Sequence, residues 1–465
     1  VDDGGQVFIE NRTFDELCVG ETASLTHTVS QRDIDLFAAA TGDLNPAHVD
    51  PAFAETDMFH GIIAHGMWGA GLISAVLGTK LPGPGTIYLG QDLRFRHPVR
   101  IGDTITATLR VSAKHPEKGD VTLDCVCTNQ RGEAVITGTA ETRAPTVKVR
   151  RPEIVLPRVQ IDRHDRLDAI IAGAKGGAPI PTAVVFPIDG PSLRGALDAA
   201  AAGLIEPVLI GPVLRLQEVA EQEGLDMSKS RLLDAADGPA AARQAVAMAR
   251  AGEAAILMKG DLHTNDLMSA VVNSEAGLRT ARRVSHVYVM DVPDFQRLLL
   301  LTDAAINLTP TLGQKADIVR NAIELAHILG VVQPRVAILA AVETVSDRMP
   351  STLDAAALCK MADRGQIIGG LLDGPLGLDN AIDVAAALEK AIASPVAGRA
   401  DILVVPNLEA GNMLAKQLTF LSGAAAAGVV LGARVPIVLT SRADSAATRL
   451  ASCAVAVLMA RGARV

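Results

Sequence analysis

The sequence predicts two unlike parts: an α+β layer over residues 1–145 and, after a linker at 146–166, a two-lobed α/β region with mainly parallel sheets over residues 167–465. Three observations carry this. Residues 86–95, 103–111, 121–129 and 134–142 alternate apolar and polar side chains and are separated by Gly-Asp, Lys-Gly-Asp and Arg-Gly-Glu turns, the pattern of an antiparallel sheet with one buried face. Residues 61–77 are mostly apolar on every face, as a helix wrapped by such a sheet must be. From Leu167 onward, strand-like segments alternate with Ala-rich helical ones, which reads as parallel strands joined by crossover helices.

Length agrees, since 465 residues exceed what one hydrophobic core organises. Charged residues make up 20% and the net charge is −9, so the chain lacks the basic footprint of a nucleic-acid binder. An anionic substrate must be met by local Arg, Lys or helix N-termini. The apolar runs all fall far short of the roughly 20 residues a membrane-spanning helix needs. Five scattered Cys without a Cys-x-x-Cys suit a reducing compartment, and the N-terminus lacks the basic-then-apolar pattern of a signal peptide, so a cytoplasmic home is expected. Cys125 and Cys127, two apart on an alternating strand, are expected to share a half-buried packing face.

The first part opens with strands near 7–9 and 22–29 and a helix over 31–40. That helix feeds TGDLNPAHVD, residues 41–50. Asn tolerates left-handed backbone and Pro fixes φ, so Asn45-Pro46 is expected to bend the chain and aim Asp43 and His48 into one pocket. A carboxylic acid and an imidazole sharing a pocket suit acid/base work on water, because the pair takes a proton from one place and delivers one to another. A helix-exit turn with a solvated Asp and His fits the same letters. His65, inside the apolar helix, reads as a satisfied core histidine ahead of a catalytic one.

The run FAAATGDLNPAHVDPAFA (37–54), followed by GIIAHGMWGAGLIS (61–74), resembles the signature and central helix of the MaoC-like hydratases, hotdog-fold enzymes acting on acyl-CoA thioesters. The resemblance runs from Val7 to Ala144. It implies Asp43 and His48 as the catalytic pair, Asn45 as a supporting polar group and the Gly66 backbone N–H as donor to the thioester oxygen. It also implies hydration of trans-2-enoyl-CoA with R stereochemistry. A hotdog sheet usually pairs with a second copy; none appears in the sequence, so a homo-oligomer is expected.

Residues 142–167 carry three Pro and clustered charges without helical periodicity until their end, and read as an extended linker. Lys148, Arg150 and Arg151 read as solvated linker charges, with contact to cofactor phosphates as the other reading. Beyond them, strands are expected at 183–187, 206–210, 254–258, 284–290, 304–307, 335–339, 367–372, 401–405, 428–431 and 436–440. That number exceeds one ordinary sheet, hence two lobes with a cleft, and ligands in such sheets sit beyond the carboxyl ends of strands.

Three polar strand exits stand out. In MKGDLHTNDL (258–267), Gly260 lets the backbone approach a ligand, with Lys259 and His263 able to face an anion where a helix begins near Thr264. INLTPTLGQKAD (306–317) is a polar turn into a helix. In IVLTSRADSAATRL (437–450), a strand delivers Ser441 and Arg442 just before a helix starts at Asp444-Ser445. A hydroxyl, a guanidinium and free helix N–H groups make a phosphate cradle; an Arg ion pair with an Asp or Ser N-cap explains the same letters.

Together with GLRTARRVSHV, ETVSDRMPSTLDAAALCKMADRG, GGLLDGPLGLDNAI and the run over 404–445, these segments resemble the phosphate acetyltransferase and phosphate butyryltransferase family, closest to its butyryl branch. The resemblance implies acyl exchange between the sulfur of coenzyme A and inorganic phosphate. It puts the catalytic Ser-Arg pair on Ser441 and Arg442 and a second phosphate contact on Arg279. From the strand exits and helix starts themselves, Lys259, His263, Thr264 and Ser445 complete the expected phosphate-binding set. Two departures leave acetyl specificity and the base open: Thr448 stands where the acetyltransferases carry an acidic residue, and no Arg-Pro pair follows His263-Thr264. Asp444 is a candidate base.

This chemistry needs no metal and no tightly bound cofactor. Phosphate attacks a thioester carbonyl, so the site must neutralise phosphate, hold the oxyanion and help the thiolate leave. The expected function is bifunctional: enoyl-CoA hydration by the first part, phosphorolysis of acyl-CoA by the second. Its partners are coenzyme A thioesters and phosphate, with no nucleic acid, no membrane, and homo-oligomerisation through both domains. The alternative is a single-function hydratase or phosphotransacylase whose other domain serves binding or oligomerisation.

Overall fold

The computed structural model describes residues 7–154, 159, 164–293, 295–440 and 444–462. It divides into two compact units, Val1–Ile161 and Asp162–Val465.

In the first unit, five antiparallel strands follow the order Thr22–Thr28, Thr104–His115, Asp120–Thr128, Ala134–Arg143, Ile87–Phe95. Alternation sets the buried face: Ile105, Ala107, Leu109 and Val111 point inward while their neighbours are partly or wholly exposed. Against that face lies the central helix Gly66–Thr79 with Ile73, Val76 and Leu77 in the same core. Helix and sheet approach closely enough that a Cβ on Gly69 would meet Ile136 Cδ1 at 2.5 Å. This is the hotdog layer that the strand alternation requires.

Two details differ from expectation. Pro46 does not simply turn the chain; it is the first residue of a short helix, Pro46–Val49, whose N-cap is Asn45. Proline fits there because its missing N–H is one that a helix start leaves unpaired anyway. The supposed linker also begins later. Arg150–Pro152 pairs antiparallel with Phe8–Glu10, Lys148 bridges Glu10 and Glu16 at 2.9 Å each, and the Arg150 guanidinium lies 4.2 Å above the Phe8 ring. Lys148 and Arg150 are solvent-exposed, as expected, but they are tied to their own unit rather than to a free linker.

Cys125 and Cys127 are fully buried rather than half-buried, since both face the helix. Burial pushes the thiols of Cys125, Cys127, Cys359 and Cys453 up to about 12. Only Cys18 is exposed. A thiolate-directed alkylating reagent is therefore expected to modify one sulfur of the folded protein, read by peptide mass mapping; labelling of a second would contradict this packing.

The second unit is built on one mixed sheet of eleven strands. A first block, Arg231–Leu233, Ile205–Ile210, Ile180–Val185, Ile256–Lys259 and Ile437–Val438, is parallel throughout. A second block, Leu299–Thr302, Ile402–Val404, Arg335–Leu339 and Leu371–Leu376, is parallel within itself. Ala425–Leu431 and Ser285–Asp291 join them through three antiparallel pairings. The mainly parallel α/β architecture is thus present, with the blocks fused edge to edge instead of forming two sheets. An odd number of reversals makes the blocks run oppositely, so their carboxyl ends open on opposite edges. One core lies under both blocks on one face, and the other face carries a separate core over each block.

The strand expected at 304–307 lies earlier, at Leu299–Thr302. Asp303 ends it: one carboxylate oxygen accepts the N–H groups of Ala305 and Ile306 at 2.9 Å and makes a turn of the expected strand. Among the described residues, no helix is long and apolar enough to cross a membrane.

His286, on Ser285–Asp291, is fully buried, and burial holds its pKa down to about 4 against the opposing pull of Asp303. Below the ordinary value of 6.5 the unfolded chain takes up a proton that the folded one refuses until about pH 4. Stability is therefore lost as pH falls through that window, by about 3 kcal/mol in all. Thermal unfolding at pH 4.5 and 7 should show a smaller difference in His286→Leu than in wild type, and an undiminished difference would contradict the assignment.

Candidate active sites

In the first unit, the helix Gln31–Thr41 ends at Gly42 in the left-handed conformation, which turns the chain so that Asp43 leaves it beside the next helix start. His48 Nδ1–H donates to the Ile63 carbonyl at 2.8 Å, leaving Nε2 as the unprotonated nitrogen of the neutral ring. His65 stacks on His48 with ring centroids 3.9 Å apart, and its Nε2–H donates to the Asp43 backbone carbonyl at 3.1 Å. Asp43, His48 and His65 each bring a polar side-chain atom within 4.8 Å of the others. The structure thus brings the expected pair together and adds His65, 3% exposed, which the sequence favoured as a satisfied core residue. Its Nδ1 is buried without a hydrogen-bond partner among the described residues, so it is not a satisfied core histidine. The adjacent letters His65-Gly66 at the helix start were the signal available.

A pocket of about 290 Å³ opens beside them, lined by His48, His65 and Gly66 with apolar walls from Phe59, Trp68 and Phe95. Gly66 is the first residue of the central helix, where backbone N–H groups have no partner one turn back and the helix dipole is positive. Phe95 lies where a Cβ on Gly66 would meet its ring at 3.1 Å, so glycine keeps this donor accessible. Asn45 Oδ1 accepts the Ala47 N–H at 3.2 Å, so the residue caps the helix carrying His48. An imidazole with one free nitrogen and a positive helix end line a small apolar pocket, and the Asp43 carboxylate lies beside that imidazole rather than in the pocket wall; together they can polarise a carbonyl and move protons on and off water.

In the second unit, Ile256–Lys259 and Ile437–Val438 are adjacent parallel strands, so their exits share one edge. Lys259 is buried at 8% exposure, and its Nζ donates to the Gly260 carbonyl at 3.1 Å. A Cβ on Gly260 would lie 2.6 Å from the Val185 and Phe186 carbonyl oxygens, which leaves room only for glycine. His263 is exposed at the N-cap of Thr264–Val271, whose first residue is Thr264. Ser441 and Arg442 lie outside the described residues. Asp444 and Ser445 follow them, and Ser445 Oγ accepts the Thr448 N–H at 3.1 Å as a cap for the terminal helix Ala446–Gly462. Thr448 Oγ1 accepts from the same hydroxyl at 3.1 Å. It is therefore part of the cap, and Asp444 is the carboxylate that immediately precedes the capping serine.

Beside this helix start lies a cavity of about 920 Å³ lined by Asp444, Ser445 and Thr448, by Tyr288 from the sheet, and by Asn412 and Lys416 from the helix Leu408–Leu421. Tyr288 was not visible as a site residue in the sequence, where it is one more letter of an apolar strand. Arg279 is not brought to this edge. It pairs in an antiparallel bridge with Ala433, in the turn between Ala425–Leu431 and Ile437–Val438, at the end of that hairpin opposite the strand exit. The exit at 306–317 is likewise on the far edge, where Thr311 and Gln314 form a capping box for Leu312–Ile328.

Residues 239–457 match the family described as Phosphate acetyl/butaryl transferase, and residues 19–129 match the MaoC like domain. A phosphate acetyltransferase of Rhizobium meliloti is 59% identical over 301 residues, 65% of this chain and 94% of the relative. A phosphate butyryltransferase of Clostridium acetobutylicum is 41% identical over 291 residues, 63% of this chain and 97% of the relative. Of these two, the chain named for acetyl transfer is the more similar. In the solved R-hydratase PhaJ1 of Pseudomonas aeruginosa, 45% of residues are identical over 33% of this chain and 99% of that one, with a TM-score of 0.32. The chain belongs to the phosphate acetyl/butyryltransferase family and carries a MaoC-like domain ahead of its transferase domain.

Proposed function

We propose that the chain is a bifunctional acyl-CoA enzyme. The first domain hydrates trans-2-enoyl-CoA to 3-hydroxyacyl-CoA, with R stereochemistry, and the second exchanges an acyl group between coenzyme A and inorganic phosphate. The observation that carries the hydratase reading is the convergence of Asp43 and His48 beside the first turn of the central helix. Gly66 N–H draws electron density to the thioester oxygen and leaves the β-carbon electrophilic. Water then adds there, losing a proton to the Asp43/His48 pair, which returns one to the α-carbon.

In the second domain, Arg442 neutralises phosphate while Ser441 and the terminal helix N–H groups hold the carbonyl oxygen as it becomes an oxyanion. Asp444 shares the cavity wall with Asp165 and Asp168 and is the base candidate because it follows Ser441 and Arg442 closely in the chain, whereas Thr448 has no basic group and its hydroxyl is engaged in the cap. The homo-oligomer is part of the same reading, measured by sedimentation. A panel of acyl- and enoyl-CoA thioesters with phosphate, followed by mass spectrometry of hydration and acyl phosphate formation, tests both halves. Loss of one product across the whole panel would leave the single-function alternative.

A further inference from the structure

The two proposed reactions share a chemical handle. Hydration leaves the thioester carbonyl untouched, so the first domain's product still carries the bond that the second domain's reaction cleaves. That product differs from a plain acyl-CoA by a hydroxyl on its third carbon. An apolar pocket built for unsubstituted chains would leave this hydroxyl unpaired and bind it more weakly.

The cavity at the start of the terminal helix is not of that kind. At about 920 Å³ it is more than three times the 290 Å³ pocket of the first domain. Small residues such as Ala425, Ala426 and Ala447 form part of its wall, and Tyr288 and Asn412 add polar side chains close to Asp444 and Ser445. Tyr288 is held in place: its ring meets the buried His286 edge-on at 4.4 Å. Burial, with the negative charge of Asp444 behind it, pushes the Tyr288 phenol above its ordinary pKa, so it remains a neutral donor and acceptor.

Resting on the function proposed above, we infer that the second domain accepts 3-hydroxyacyl-CoA, the first domain's product, and that Tyr288 recognises its 3-hydroxyl. The balance is simple. A phosphate oxygen bonds to the thioester carbon, the carbon–sulfur bond breaks with its electron pair going to sulfur, and the thiolate takes a proton to become free coenzyme A. The hydroxyl is unchanged and the other product is a 3-hydroxyacyl phosphate. The chain is then a two-step sequence from enoyl-CoA to an activated hydroxy acid, without any reactant beyond water and phosphate.

The test supplies the full chain with phosphate and, separately, butyryl-CoA, (R)-3-hydroxybutyryl-CoA and (S)-3-hydroxybutyryl-CoA. Acyl phosphate is followed by phosphorus NMR and mass spectrometry, and free thiol by a colorimetric reagent. The R thioester is expected to give 3-hydroxybutyryl phosphate with kcat/KM within about tenfold of butyryl-CoA, and Tyr288→Phe to lower it roughly tenfold more for the R thioester than for butyryl-CoA. Conversion of butyryl-CoA with neither hydroxy thioester, or with the S form alone, overturns the inference and leaves the transferase reading standing. If no thioester yields an acyl phosphate, the transferase reading itself fails and the inference with it. Equal losses for both substrates in Tyr288→Phe would remove Tyr288 from recognition of the hydroxyl.

Discussion

Asp43→Asn is expected to lower the rate of crotonyl-CoA hydration by about 10²- to 10⁴-fold, the range over which a positioned acid/base group acts. The change is nearly isosteric, and the fold should tolerate it. Asp43 is exposed, and the hydrogen bond that its carboxylate accepts from the Asn45 N–H, 3.3 Å long, survives on an amide oxygen. The backbone carbonyl that receives the His65 Nε2–H is also untouched. What disappears is the ability to hold and return a proton. Phosphorolysis of butyryl-CoA should be unaffected, because the transferase residues belong to a separate compact unit. Loss of absorbance of the conjugated thioester reports hydration, and thiol release with phosphate reports the other reaction. Equal loss of both activities would contradict separate sites.

Arg442→Ala should raise the KM for phosphate roughly 10- to 100-fold and lower kcat as well, the effect of removing a hydrogen bond between charged partners. Arg442 lies outside the described residues. In the chain it follows the strand Ile437–Val438, which pairs with Ile256–Lys259, and precedes Asp444 and Ser445, which line the large cavity at a helix start. Lys416 brings one point charge to that cavity, and a guanidinium supplies a planar one matched to phosphate. Arg442→Lys should restore the phosphate KM only in part, since an ammonium is a point charge without the planar fork that matches two phosphate oxygens. Initial rates against phosphate concentration measure this directly, and an unchanged phosphate dependence in Arg442→Ala would take the residue out of the site.

The different fates of Asn45 and His65 mark how far a sequence can be read. Both sit in motifs that resemble a known site; Asn45 reads there as a supporting polar group and His65 as a satisfied core residue. In the structure, Asn45 caps the helix that carries His48, while His65 is packed against His48 and tethered to Asp43. Local letters define which groups are chemically able to act. Which of them converge depends on packing that no local pattern contains. Arg279 makes the same point in the second domain: the resemblance offered it to phosphate, but it precedes Ser285–Asp291, which runs in the same direction as Ile437–Val438, and so lies at the amino ends of those strands, opposite Ser445. Tyr288 is the converse, a strand residue with no motif around it that the fold brings to the cavity wall.

By itself, the sequence determined the existence and order of the two domains, the antiparallel strands and central helix of the first and most strands of the second. These follow from local physics: alternation buries one face of a strand, and an all-round apolar helix needs a wrapping sheet. The tertiary structure decided the joining of eleven strands into one sheet, the opposite edges on which its two blocks open, the stacking of His65 on His48 and the cavity at the terminal helix. Each of those depends on contacts between residues far apart in the chain, where strand direction and packing, rather than neighbouring letters, fix the geometry.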